Sequence, residues 1–170
     1  GRLFAALQNL PANQRSGLRL QGEPVAVVDF AAMNVQLLYA YDKKVVPNGD
    51  LYAFKGFECH RAFAKVFFNA LLFSRKPLSA FPDDRKAPPR PKGLKLHDAI
   101  KAVKELHPTV AGHFGTGIGH KLAYLESNII IRALLKCERT GVASYPLHDA
   151  LIVPASKALV AQDILQRPFH

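Results

Sequence analysis

The sequence predicts an α+β fold, a small antiparallel sheet with helices packed around it. Three observations predict this. "EPVAVVDF" (23–30) is β-branched and continuously apolar, as a buried strand is. "SYPLHDALIVP" (144–154), far off in sequence, reads as two short strands meeting at His148-Asp149. Several stretches between and after these runs carry apolar residues at helical spacing.

Taken in order, Gly1–Glu23 is mixed and rich in arginine and amide side chains, and reads as loop with short elements. After the first strand, "AAMNVQLLYAY" (31–41) sets Met33, Leu37, Leu38 and Tyr41 at helical spacing. "VPNGDLY" (46–52) is a turn, in which Pro47, Asn48 and Gly49 supply the backbone freedom. "CHRAFAKVFFNALLFSRK" (59–76) is the longest helical candidate, apolar on most sides and edged with basic residues. The five prolines of "PLSAFPDDRKAPPRPKG" (77–93) exclude regular structure and make it a surface loop or insertion.

"LHDAIKAVKELH" (96–107) is a surface helix stopped by Pro108, and "GHFGTGIGHK" (112–121) a glycine-rich loop. "LAYLESNIIIRALLKCERTG" (122–141) is a helix closed by Gly141, and "ASKALVAQDILQR" (155–167) a final amphipathic helix. There is no internal repeat.

Nearly half of the 170 residues are apolar, enough to bury the core of what is most simply one domain. Lys and Arg outnumber Asp and Glu by 23 to 13, a net charge of +10 that favours a polyanionic partner, nucleic acid first. An acidic membrane surface is the alternative, but no basic amphipathic helix supports it. Cys59 and Cys137 form neither a disulfide framework nor a metal-ligand spacing, which suits a reducing compartment. With no apolar run of transmembrane length and no signal-peptide layout, the expectation is a soluble cytoplasmic domain without a membrane partner.

Two constellations carry chemistry. Asp29 and Asp149 each stand beside an apolar β-run. If their strands are neighbours, the carboxylates could meet at a common edge, and two Mg²⁺ ions about 4 Å apart would relieve their repulsion and activate phosphoryl transfer. Charge spacing alone favours the plainer reading, in which Asp29 caps a helix and Asp149 makes a hairpin turn. Arg61 and Lys65 lie four residues apart on the long helix, and Asn69 and Phe73 continue the stripe with a drift of about 40° per step. Such a pair suits a triphosphate and the aromatic a base, against a plain solvated edge of snorkelling side chains. "GTGIG" (115–119) lacks the strand, the spacing and the acidic partner of a dinucleotide-binding turn. His107, His113 and His120 lack the cysteine or carboxylate companions that a zinc site would need.

The order of these pieces is similar to motifs A, B and C of the family-A DNA polymerases, and more distantly of the single-subunit RNA polymerases. "VVDFAAMNVQLLYA" (27–40) resembles motif A, usually "DYSQIELR". "RAFAKVFFNALLF" (61–73) has the R-x3-K-x7-aromatic spacing of motif B, and "LHDALIV" (147–153) resembles motif C, usually "VHDELV". "GRLFAALQNLP" (1–11) resembles the "GRLSS…LQNIP" element that precedes motif A.

The resemblance implies one catalytic core over 1–170, with a palm at 1–50 and 120–170, helical fingers at 51–119 and no thumb. It implies a template-directed nucleotidyltransferase, a DNA polymerase that extends a primer 3′-hydroxyl on a DNA primer–template from nucleoside triphosphates. Asp29 and Asp149, with the backbone carbonyl of Phe30, would hold two Mg²⁺ ions. Arg61 and Lys65 would grip the incoming phosphates, Lys65 also protonating the pyrophosphate, and Phe73 would stack near the nascent pair. Arg2 and Asn9 would face the duplex, His148 the primer terminus, and Glu126 and Asn128 the template.

Departures from the family pattern fall at Asn34, where motif A carries glutamate, at Asn69 and Phe73 in motif B, and at Ala150, where motif C carries glutamate. They leave sugar selection open between dNTP and rNTP. The chain is then either the C-terminal piece of a protein with an upstream thumb or exonuclease region, or a reduced polymerase. A nucleic-acid-binding remnant without catalysis, and an RNA polymerase or primase relative, are the alternatives.

Overall fold

A computed structural model describes residue 14 and residues 17–82 and 88–166 of the chain. The fold is α+β, with a small four-stranded antiparallel sheet and five α-helices among the described residues. The chain divides into two compact units, Gly1–Met33 with Ala123–His170, and Asn34–Leu122.

The first unit holds the sheet. Its strands are β1 (Arg19–Leu20), β2 (Glu23–Val28), β3 (Tyr145–Leu147) and β4 (Ala150–Pro154), in the spatial order β1-β2-β4-β3. Two residues, Gln21 and Gly22, connect β1 to β2, both with positive φ (53° and 81°), as a right-twisted two-residue hairpin requires. His148 and Asp149 connect β3 to β4, with Leu147 paired to Ala150. The meeting point expected from the sequence is therefore a hairpin turn. His148 alone of the two takes positive φ (55°), which histidine tolerates better than a branched residue would.

β2 and β4 pair from Val25↔Pro154 to Val28↔Leu151. All five residues of β4 are buried, and the last helix, Ala158–Gln166, packs against β2 and β4. β2 is less enclosed than its composition suggests, with Val27 51% exposed. Among the described residues, β1 pairs with Glu23 and Pro24 alone. β2 also ends at Val28, two residues earlier than the apolar run.

The second unit is helical and aromatic. It contains α1 (Met33–Tyr41) from Asn34 onward, α2 (Arg61–Phe73), α3 (Leu96–Leu106) and the first turn of α4 (Ile118–Arg139), while α5 (Ala158–Gln166) belongs to the first unit. On α2, Phe63, Phe67 and Leu71 form one i,i+4 row and Ala64, Phe68 and Leu72 the next, and all six are buried. Phe54 stacks on Phe68 (6.2 Å between centroids), and Phe57 and Phe81 both meet Phe67 (5.7 and 5.4 Å).

His107 is wholly buried in this cluster. Its Nε2 lies 2.9 Å from the Leu51 carbonyl, which can only accept, so Nε2 carries the proton and Nδ1 accepts from the Tyr39 hydroxyl at 3.0 Å. Burial pushes the imidazole pKa down and the Tyr39 phenol up, so both stay neutral.

Two helices differ from their sequence patterns. In α1 the core takes Val35 and Tyr39 as well as Leu37 and Leu38, whereas Tyr41 is 39% exposed beneath Lys121. α4 begins at Ile118, inside the glycine-rich stretch, and its Gly119 packs directly on Phe73. A Cβ there would lie 2.8 Å from the Phe73 ring. Of the proline-rich stretch, the described residues 77–82 and 88–93 form neither helix nor strand.

Candidate functional site

The β2–β4 register brings the two aspartates to the same end of the sheet. Extended by one residue beyond Val28↔Leu151, it sets Asp29 level with Ala150, and Asp149 stands one position further along in the turn. The condition under which the carboxylates could meet, neighbouring strands, is satisfied. Asp29 is exposed and Asp149 half-exposed. Asp29 Oδ1 accepts from the Phe30 amide at 2.7 Å, and the residue before α1 is Ala32, with φ 52°, rather than Asp29.

Two carboxylates and a backbone carbonyl are hard oxygen donors, the kind that Mg²⁺ takes one or two at a time alongside substrate phosphates. That chemistry fits the ion. Among the described residues, no group of three His, Cys, Asp or Glu side chains could hold a metal by itself. His148 is exposed in the same turn. Glu126 and Asn128 lie on α4, Glu126 buried at 5% exposure and Asn128 half-buried. Arg2 and Asn9 lie outside the described residues.

In the helical unit, Arg61 and Lys65 share the exposed face of α2 with the half-buried Asn69. Arg61 grips Asp50 with both arms of its fork, Nε to Oδ2 at 2.7 Å and Nη2 to Oδ1 at 3.0 Å. The Arg61 hydrogen bonds hold the Asp50 carboxyl below the usual range and raise the guanidinium in turn. Both cations also lie over the Tyr52 ring, at 5.4 Å for Arg61 and 5.7 Å for Lys65.

Asn34 Nδ2 donates to Asn69 Oδ1 at 3.0 Å, while the Asn34 Oδ1 is buried without a partner among the described residues. Phe73 ends α2 edge-on to His120, 5.3 Å between centroids.

Sequence reading alone missed Asp50 and Tyr52, the two residues that fix the cationic pair. Both stand in the turn before α2, where no periodicity links them to Arg61. It also missed that His113 is tied to Asp42, its Nε2 2.8 and 2.9 Å from the two carboxylate oxygens. No helix among the described residues is long and apolar enough to cross a membrane. Comparison with protein-family models, curated proteins and solved structures finds no match.

Proposed function

We propose that this chain catalyses template-directed nucleotidyl transfer, extending a primer 3′-hydroxyl with the α-phosphate of an incoming nucleotide. The single observation that carries the reading is the β2–β4 register, which sets Asp29 and Asp149, 120 residues apart in sequence, at one end of one sheet. The motif order supports it independently, since the same two aspartates are those that resemble motifs A and C.

Asp29, Asp149 and the Phe30 carbonyl would hold two Mg²⁺ ions, which when bound lower the pKa of the attacking hydroxyl and offset charge on the phosphate. Arg61 binds the triphosphate by exchanging the Asp50 carboxylate for phosphate oxygens, for which its planar fork is equally suited. Lys65 neutralises the same phosphates and gives a proton to the departing pyrophosphate. Phe73 stacks near the nascent base pair, His148 and Asn128 face the primer–template, and Arg2 and Asn9, outside the described residues, would face the duplex. Glu126, being buried, supports α4 rather than touching nucleic acid. An exposed basic surface makes binding fall with salt.

Asn34 supports a second reading, in which the same reaction uses ribonucleotides. Its side chain is shorter than the glutamate that the resembling motif carries, which relaxes the exclusion of a 2′-hydroxyl. Extension of a labelled primer with Mg²⁺ and either dNTPs or rNTPs tests both. The expected result is extension that Asp29→Ala abolishes, with the preferred sugar deciding between polymerase classes. Extension that survives Asp29→Ala removes the metal assignment. Nucleic-acid binding with no extension by the wild type leaves a binding remnant.

A further inference from the structure

The glycine-rich stretch 112–121 has no part in the reaction above, yet it is built tightly against the tail of α2. The Gly115 amide donates to the Leu71 carbonyl at 2.9 Å, and the Gly117 amide to the Ser74 carbonyl at 2.7 Å. Both glycines have positive φ (79° and 76°). A Cβ at Gly115 would meet the Lys76–Pro77 backbone at 3.0 Å, and one at Gly117 would meet Arg75 Cγ at 3.0 Å. Only glycine permits this approach without strain.

The clasp assembles cations from three separate stretches. Arg75 and Lys76 leave α2 exposed, and His120 and Lys121 enter α4 exposed beside them. Lys121 reaches the Tyr41 hydroxyl at 2.9 Å and lies 4.5 Å from the centre of that ring. His113 meets the same ring edge-on at 5.9 Å. Lys43 and Lys44, both exposed, follow directly from Tyr41 and Asp42. The nearby carboxylate, Asp42, is held by His113, and among the described residues none of these lysines or Arg75 pairs with an acid. The result is a rim of five permanent cations from stretches joined by the Lys121–Tyr41 and Gly117–Arg75 contacts, with two exposed rings, Tyr41 and His120.

We propose that this rim, Lys43, Lys44, Arg75, Lys76 and Lys121 with Tyr41 and His120, binds single-stranded nucleic acid. Cations interleaved with exposed rings suit a strand whose phosphates and unstacked bases are both available, which a duplex does not offer. Nucleotidyl transfer identifies that strand as the template overhang, and the inference rests on that reading for the strand's identity but not for binding itself.

The test is fluorescence anisotropy with a labelled oligothymidylate, in the absence of Mg²⁺ and nucleotides. The Arg75→Gln/Lys121→Gln double variant should bind about tenfold more weakly at moderate salt. Its slope of log K against log salt should be shallower by about 1.4, two contacts at about 0.7 each. A control with the same charge loss, Lys101→Gln/Lys104→Gln on α3, should retain most of the affinity. Equal losses in the two variants, or an unchanged slope in a rim variant with native circular dichroism, would overturn the proposal. So would tighter binding to blunt duplex than to the single strand. Normal rim-dependent binding by a protein that never extends a primer would remove the catalytic reading and leave the rim standing.

Discussion

Within Asn34–Leu122 stand 15 of the chain's Lys and Arg against 7 Asp and Glu, with 8 of its 11 phenylalanines. The sheet-bearing unit has 8 Lys and Arg against 6 Asp and Glu, with 3 phenylalanines. The helical unit thus carries nearly all of the net positive charge around an aromatic core. The sheet unit is almost balanced, and its core is mainly aliphatic: Val28, Leu147, Leu151, Ile152, Val153, Ile164 and Leu165, beside the buried Phe30. Large rings let one helix, α2, turn a full apolar side inward and keep its cations on the other. Small branched residues let β2 and β4 pair closely and bring two aspartates to one end. The difference teaches that the two units bury their apolar surface with different side chains, stacked rings around a helix and small branched residues between paired strands.

The largest stability effect should separate these cores. Phe68→Ala, at the centre of the aromatic cluster, should cost about 3–5 kcal/mol, against about 0.5–1.5 kcal/mol for Ile152→Val in the sheet. Urea unfolding followed by circular dichroism measures both, and comparable losses would dissolve the contrast. Next is Gly119→Ala, whose methyl group must displace the Phe73 ring. A loss of about 1–3 kcal/mol is expected, whereas Gly112→Ala, with nothing within 4 Å of the new Cβ, should change little. If Gly119→Ala proved neutral, the close approach of α4 to Phe73 would be wrong.

A smaller effect depends on pH. His107 has its folded pKa lowered by burial, so the unfolded chain takes up the proton first. Its contribution is complete above the unfolded value of about 6.5 and is lost as pH falls through the folded value. The urea midpoint of the wild type should fall between about pH 7 and pH 5 more steeply than that of His107→Leu, which starts less stable. Parallel profiles would show that the buried imidazole is not the titrating group. The smallest effect is at the Asp50–Arg61 pair. Being exposed, it should add nothing that denaturation resolves. Asp50→Asn should instead free Arg61 and lower the KM for nucleotide, and an unchanged KM would detach Arg61 from phosphate binding.

Local pattern made most of the fold legible. The β3–β4 turn at His148-Asp149, the stop of α3 before Pro108 and the irregular proline stretch follow from single residues whose backbone preferences need no partner. What escaped depends on contacts distant in sequence. Val27 lies open on the sheet face, α4 starts within the glycine-rich stretch with Gly119 against the Phe73 ring, and Tyr41 turns outward to Lys121. For the site, Asp29, Asp149, Arg61 and Lys65 stood out by type and spacing. Asp50, Tyr52 and the Asn34–Asn69 hydrogen bond did not, because an aperiodic turn and an amide pair 35 residues apart leave no pattern to read.

The sharpest test of the division between the units is single-turnover primer extension by the wild type and by Asp149→Asn, across a range of nucleotide concentrations. Removing one carboxylate charge from that end of the sheet should lower the maximal rate by at least about a hundredfold. The half-saturating nucleotide concentration, set by Arg61 and Lys65, should move far less. A variant that extends primer at the wild-type rate would contradict the assignment of the chemistry to this end of the β2–β4 pair.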